Sequence, residues 1–297
     1  MDQRLVAFLA VARAGRVTQA ARQLNLSVSS VSQQITSLES DFGVRLFVRS
    51  NRGVVLSPAG ATLRSFAENI EADWRSAFRA VRQSAAGDLV VHMSASHTVA
   101  EIFLPRPLGL YRRLYPAVQL NLTVQNSAAV LVQVETGQVD FGIAEGRLAR
   151  HRLHVRDLWR DELGLIVSAS HPWAGREGID IAQLQEADLI LREEGSGTRR
   201  IFESALHDAG HALDSLHVIM ELSSLRAIVA MVRHGVGVSV LSRMVAEEER
   251  ESGIAFVPLP GLRLKRQIYL LDRGEQDLGP AARQLSALLV KESARRS

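Results

Sequence analysis

Cysteine is absent from the 297-residue chain, which excludes disulfides, thiolate metal sites and cysteine nucleophiles and fits a reducing compartment. Long apolar runs are absent too: nowhere do about eighteen apolar residues stand together, the length that a membrane-crossing helix needs. The opening MDQRLVAFLAVARAG intersperses polar residues where a secretory signal would be unbroken and apolar, so a cytoplasmic location with no membrane partner is expected. Also missing are G-x-S-x-G, G-x-x-x-x-G-K-[ST] and G-x-G-x-x-G, the signatures of common hydrolases, nucleotide-binding and dinucleotide-binding enzymes. The chain is therefore expected to be no enzyme and to carry no cofactor. His207 and His211 stand at i, i+4 on an expected helix, but HDAGH lacks the glutamate of a zinc-protease helix and no metal site is assigned.

What is present is an ordinary globular composition, 46% hydrophobic and 23% charged, in a chain long enough for two or three units. Net charge is only +3, but it is uneven. Residues 1–87 carry 11 arginines against 6 carboxylates, and residues 88–297 carry 24 basic residues against 26 acidic ones. The basic surplus lies at one end, as expected where a polyanion is met.

Leu5, Phe8, Leu9 and Ala12 follow the spacing of a helix with one buried stripe, which Gly15 stops. Thr18 is expected to cap a second helix, TQAARQL, whose Ala20, Ala21 and Leu24 form a narrow apolar face for close helix approach. Asn25 and Leu26 make a turn, and Ser27 caps a third helix with Val28, Val31, Ile35 and Leu38 on its inner face. The rest of that helix, Ser29, Ser30, Ser32, Gln33, Gln34, Thr36 and Ser37, is uncharged and rich in groups that read base edges in a major groove, Gln34 being the expected reader. After DFG at 41–43, the strands VRLFVRS and VVL about an SNRG turn make a β-wing. Its Arg45, Arg49 and Arg52 suit phosphates or a minor groove. Thr18 and Gln19 at the second helix, the capping Ser27 and Asn51 at the wing tip complete the expected DNA-contacting set.

The run from Arg4 to Gly60 resembles the DNA-binding domain of LysR-type transcriptional regulators. The telling pieces are AARQL, SVSSVSQQI, LE, FGVRLFVR and L-S-P-A-G in this order. The family commonly has Gln and then Pro or another small residue where Val28 and Ser29 stand here. The operator sequence therefore does not carry over from relatives, whereas the DNA-binding role does.

Ser57 and Pro58 open a long helical stretch, ATLRSFAENIEADWRSAFRAVRQ, that ends before Gly87. Leu63, Ala67, Ile70, Trp74, Ala77 and Val81 alternate by four and three as in a coiled-coil seam, widened by Phe66 and Phe78. The resemblance implies that this segment pairs two subunits, which suits a dyad-symmetric operator.

From Asp88 the pattern changes to alternating strands and helices. DLVVHMS, VQLNLTV, DFGIA, LGLIVSA, DLILR, HVIMELS, GVSVLS and RQIYLLD read as strands in largely parallel sheets, with helices starting near Thr98, Ala128, Gly197, Ser224 and Gly279. Four strands run into hydroxyl-rich turns: Ser96-His97-Thr98, Asn126-Ser127, Gly195-Ser196-Gly197-Thr198-Arg199 and Ser223-Ser224. Hydroxyls and free N–H groups at helix starts favour an anion.

The segments LPRPLGLYRRLYPAVQLNLTVQNS, VETGQVDFGIAEG, LREEGSGTRRIFESAL and VRHGVGVSVLS resemble the effector-binding half of the same family. That half is a two-lobed α/β fold like the type 2 periplasmic binding proteins. The resemblance implies a winged helix-turn-helix at 1–58, a linker and dimerisation helix at 59–87 and an effector domain at 88–297. One lobe spans 88–161 with 267–297, the other 162–266. Ser96, Thr98, Ser127, Ser196, Thr198 and Ser223 match the family's pocket-lining positions; His97 and Arg199 are added as countercharges. The expected partners are dyad-symmetric double-stranded promoter DNA, a small anionic effector and a second copy of the chain, with dimer or tetramer left open. RNA polymerase joins them if the protein activates. A transport-type binding protein, which the second half alone would suit, is disfavoured by the DNA-binding unit and by the absence of a signal sequence.

Overall fold

A computed structural model describes residues 1–50, 53–86, 89–146 and 153–294. Two compact units form, Met1–Arg82 and Gln83–Ser297.

In the first unit α1 (Gln3–Ala14), α2 (Val17–Leu24) and α3 (Val28–Phe42) pack around Phe8, Leu9, Ala20, Ala21, Val31 and Leu38. Gly15 and Asn25 end the first two helices in the left-handed region, at φ 66° and 54°. Ser27 caps α3, its hydroxyl accepting from Ser30 N–H at 3.0 Å. Two expectations change. Thr18 lies inside α2, whose N-cap Arg16 makes no side-chain capping bond, so the helix starts earlier than its first hydroxyl suggests. Val28 is exposed rather than part of the inner face, because the first turn of α3 projects beyond the core.

The wing, β1 (Phe47–Ser50) and β2 (Gly53–Leu56), is an antiparallel hairpin. It is fixed from both sides. Buried Glu39 accepts from Leu46 N–H at 2.8 Å and Phe47 N–H at 3.3 Å and pairs with Arg45 at 3.0 Å. Ser57 donates to the Arg45 carbonyl at 2.7 Å and accepts from Gly60 N–H at 2.9 Å. A Cβ at Gly60 would stand 2.0 Å from the Leu46 carbonyl oxygen, so only glycine lets α4 (Pro58–Ala86) leave the wing at this angle.

Along α4 the expected seam divides. Leu63 and Ala67 turn inward onto the helix-turn-helix core, as does Ala72, and Glu71 pairs with Arg13 of α1 at 2.7 Å. Phe66, Ile70, Trp74, Phe78 and Val81 stay exposed, Trp74 at 57%. The a/d pattern had merged two stripes, one intramolecular and one facing outward.

The second unit is built on a sheet in the order β10-β6-β11-β5-β3-β4, with β9 also on β6. Its strands are β3 (Val90–Ser96), β4 (Gln119–Gln125), β5 (Phe141–Glu145), β6 (His154–Ser168), β9 (Ser239–Ser242), β10 (Ile254–Val257) and β11 (Lys265–Asp272). A separate parallel pair joins β7 (Leu189–Arg192) and β8 (Val218–Leu222). The largely parallel expectation holds for β3 with β4 and β5 and for β7 with β8, but every pairing of β6 is antiparallel. The cause is β6 itself. This fifteen-residue strand pairs with β11 through its first half and with β9 and β10 through its second, so it runs from one lobe into the other.

The helices are α5 (Pro105–Leu114), α6 (Ser127–Glu135), α7 (Ile181–Gln185), α8 (Gly197–Asp208), α9 (Leu225–Arg233), α10 (Arg243–Glu248) and α11 (Pro280–Ser293). The two shortest, α7 and α10, and the strand β10 carry too few residues to show a period and were not expected. The segment after Thr98 is a five-residue π-helical turn, Val99–Phe103, rather than an α-helix start. His211 lies beyond the end of α8, past Gly210 at φ 82°, so the His207/His211 pair does not share a helix.

Candidate functional site

On the first unit, Ser29, Ser32, Gln33 and Thr36 are exposed and repeat at three- and four-residue steps, so they share one face of α3. Thr18 and Gln19 are exposed at the start of α2, and Arg49 on β1. Gln34 differs: it is half-buried, with its side-chain carbonyl oxygen buried and unpartnered. Ser27 and Ser29 hydroxyls bond one another at 2.8 Å, Ser30 is half-buried, and Arg45 is tied to Glu39. Asn51 and Arg52 lie outside the described residues.

In the second unit three of the four hydroxyl-rich turns converge. Ser96 ends β3 and Thr98 follows it, Ser127 starts α6 after β4, and Ser196 and Thr198 bracket the start of α8 after β7; all five are buried. The lobes touch there. A Cβ at Gly197 would stand 2.6 Å from both the Ser127 hydroxyl and the Glu145 carbonyl oxygen, and one at Gly195 would stand 2.9 Å from the Asn126 amide. Ala128 N–H donates to the Gly195 carbonyl at 3.3 Å, and Asn126 caps α6 by accepting from Ala129 N–H at 2.9 Å. Two hydroxyl oxygens in this group, Thr98 Oγ1 and Ser127 Oγ, are buried with no hydrogen-bond partner.

The fourth turn stays apart: Ser223 is exposed, and Ser224 caps α9 by accepting from Ala227 N–H at 3.2 Å. Neither added countercharge serves as expected. Arg199 pairs with Glu203 at 2.7 Å and Glu221 at 2.6 Å. Burial, then the neighbouring Arg192, hold the half-buried His97 imidazole below its ordinary pKa and so favour its neutral form.

The charges that do reach the junction are Arg266, Glu145 and Asp161, all buried. Arg266 donates from Nε to Asp161 at 2.7 Å and from Nη1 to Glu145 at 3.2 Å and Thr198 Oγ1 at 2.8 Å. Glu145 also accepts from the Ser96 hydroxyl, and Asp161 from Ser242 at 2.8 Å. Sequence reasoning missed this group. The available signal was Glu145, Asp161 and Arg266 within the strand segments FGIAE, DLWRDELGL and KRQIYLL, the last two at positions that pleat alternation sends inward. Two carboxylates against one guanidinium leave the group formally at minus one.

Comparison with known proteins follows this division. Residues 3–61 match the model described as bacterial regulatory helix-turn-helix protein, lysR family, and residues 84–294 match the LysR substrate binding domain. The Escherichia coli K12 HTH-type transcriptional regulator YeiE is 34% identical over 291 residues, covering 95% of this chain and 94% of that one. The Bacillus subtilis 168 regulator CysL is 32% identical over 270 residues, covering 89% and 88%. Among solved structures, the regulatory domain of Synechocystis PCC6803 CcmR in complex with 2-PG superposes with a TM-score of 0.62 at 25% identity, covering 69% of this chain and 97% of that one. Full-length CbnR complexed with its target DNA gives 0.56 at 24% identity over 99% and 100%, a likeness of fold. These relatives are transcriptional regulators, and among the described residues no helix is long and apolar enough to cross a membrane. With both domain models matched in order and nearly the whole chain aligned to such relatives, this protein belongs to the LysR family of DNA-binding transcriptional regulators and carries that family's effector-binding domain.

Proposed function

We propose that the protein is a homodimeric, effector-controlled regulator acting in the cytoplasm on the nucleoid. Residues 1–58 read a dyad-symmetric promoter, 59–87 pair the subunits, and 88–297 bind a small anion between a lobe of 88–161 with 267–297 and a lobe of 162–266. The observation that carries the anion reading is the pair of buried, unpartnered hydroxyls on Thr98 and Ser127, the second against the start of the twelve-residue helix α8. An orphaned buried hydroxyl is costly, and a ligand oxygen accepting from it removes that cost. Arg192, Arg199 and Arg266 are each paired with carboxylates, so recognition rests on neutral donors and the helix dipole rather than on a formal countercharge. The CcmR domain, solved with 2-PG, is in keeping with an anionic ligand.

On DNA, the α3 face of Ser29, Ser32, Gln33 and Thr36 enters a major groove, while Arg49 and Arg52 of the wing meet phosphates. RNA polymerase is a further partner where the bound protein activates.

The test is a thermal-shift screen of the full chain against sulfur oxyanions, phosphorylated sugars and carboxylates. A true effector at one hundred times its dissociation constant adds about 2.7 kcal/mol. Thr98→Val and Ser127→Ala should weaken the hit without lowering the melting temperature of the free protein. A response confined to neutral or aromatic compounds overturns the anion reading.

A further inference from the structure

A cavity of 350 Å³ lies between α8 and β11. Its wall is strongly basic. Arg200 enters from α8, and Arg263 and Lys265 come from the chain leading into and along β11, with Ser204 and Gln267 adding neutral polar groups. Asp208 is the single carboxylate among the described lining residues.

Arg200 is the informative member. Its Nε and Nη2 atoms are buried without a hydrogen-bond partner. The guanidinium stands close over Gly146, where a Cβ would lie 3.5 Å from Nη2. Two buried, unsatisfied nitrogen atoms on the half-buried Arg200 side chain are expensive, and an oxyanion relieves that expense through a two-pronged bond. Arg263 and Lys265 are exposed and carry no ion pair among the described residues, so their charge is available. Arg266 borders both the cavity and the junction, where it bonds Thr198, whereas Lys265, Gln267 and Tyr269, exposed or half-buried on the other pleat of β11, line the cavity alone.

We propose that this cavity is a second ligand site, distinct from the hydroxyl-lined junction, and that it takes a small multivalent oxyanion such as a phosphorylated or polycarboxylic metabolite. The volume falls at the lower end of the range for small-molecule pockets. Two elements meet in it: α8, whose start abuts Ser127 and Glu145, and β11, which supplies Arg266 to the buried ion group. An anion bridging Arg200 to Lys265 therefore ties α8 to β11 and favours the closed contact of the lobes, which makes it a second input to the same switch.

The experiment is isothermal titration of the full-length protein with inorganic pyrophosphate, at ionic strength held constant with chloride. Four proteins are compared: the wild type, Arg200→Gln, Arg263→Gln combined with Lys265→Gln, and Ser127→Ala. Saturable binding to the wild type, weakened at least tenfold in both cavity variants and kept in Ser127→Ala, supports the site. The paired surface variant covers the case in which Arg200→Gln fails to fold. Absence of saturable binding, or equal binding to the wild type and the Arg263/Lys265 variant, overturns the proposal. Loss in Ser127→Ala alone assigns pyrophosphate to the junction and overturns it as well, while leaving the proposed effector site standing.

Discussion

Gly197, the first residue of α8, lies against Ser127, the first residue of α6, so closely that a Cβ on the glycine would stand 2.6 Å from the serine oxygen. Two helix starts from two lobes thus meet end to end. Gly197→Ala has no room, because the Glu145 carbonyl oxygen is equally near. The lobes must part for the extra methyl. The expected cost is about 1–3 kcal/mol of overpacking in chemical denaturation, with at least tenfold weaker effector binding by titration. Unchanged affinity would show that the junction opens freely without loss.

Arg266 sits between two buried carboxylates, and removing it strands both. Arg266→Met should destabilise the protein by about 3–5 kcal/mol, the scale for an orphaned buried charge. Combining it with Glu145→Gln should recover part of that loss. A double variant as unstable as the single one, measured by urea unfolding, would mean that packing rather than charge sets the cost.

For DNA, the structure shifts weight from Gln34 to its neighbour. Gln33 is exposed on the face shared by Ser29 and Thr36, whereas the Gln34 carbonyl oxygen is buried. Gln33→Ala should lower affinity for a selected operator by about 1–3 kcal/mol and leave random DNA nearly unaffected. Gln34→Ala should act mainly on stability. Gel retardation with both DNAs separates the two, and a larger operator-specific loss for Gln34→Ala would reverse the assignment.

Trp74→Glu places a charge in the middle of the outward stripe of α4. Subunit pairing should fail, because a carboxylate cannot be buried there unpaired. Sedimentation should show monomers, and operator affinity should fall with them. Ala67→Glu is the contrast: it should unfold the first unit, since Ala67 is buried in its own core.

His97 gives a pH signature. Its folded pKa lies below the ordinary value because of burial first and Arg192 second. Between the folded value and the unfolded value near 6.5, the unfolded chain binds the extra proton, so stability rises with pH through that window and is lost as pH falls through it. The wild-type melting temperature should therefore drop more between about pH 7 and pH 5.5 than that of His97→Asn. Parallel curves would show that other groups, such as His171, whose pKa burial also lowers, dominate the acid limb.

Much of this architecture was legible in the chain because it rests on local chemistry. Gly15, Asn25 and Ser27 mark helix ends through backbone conformation and capping, and those effects act over a few residues. The hydroxyl-rich turns after β3, β4 and β7 were visible for the same reason. Ser223 looked equivalent in sequence, yet it is exposed, because convergence is a property of where strands lie in the sheet and not of the turn itself. Arg266, Glu145 and Asp161 were missed since their pairing spans 121 and 105 residues. The seam of α4 was misread in part because one periodicity served two surfaces, and only packing distinguishes Ala67 from Ile70.

The corner at Ser57 and Gly60 has a mechanical consequence. With the serine hydroxyl bonded both to the wing and to the helix, and no space beside the glycine, wing and rod turn as one rigid piece. The 29-residue rod is roughly 43 Å long at 1.5 Å per residue, so tilting the wing by about 10° carries the far end through roughly 7 Å. A small torque exerted at the wing is thus converted into a displacement of about two base-pair steps along the rod.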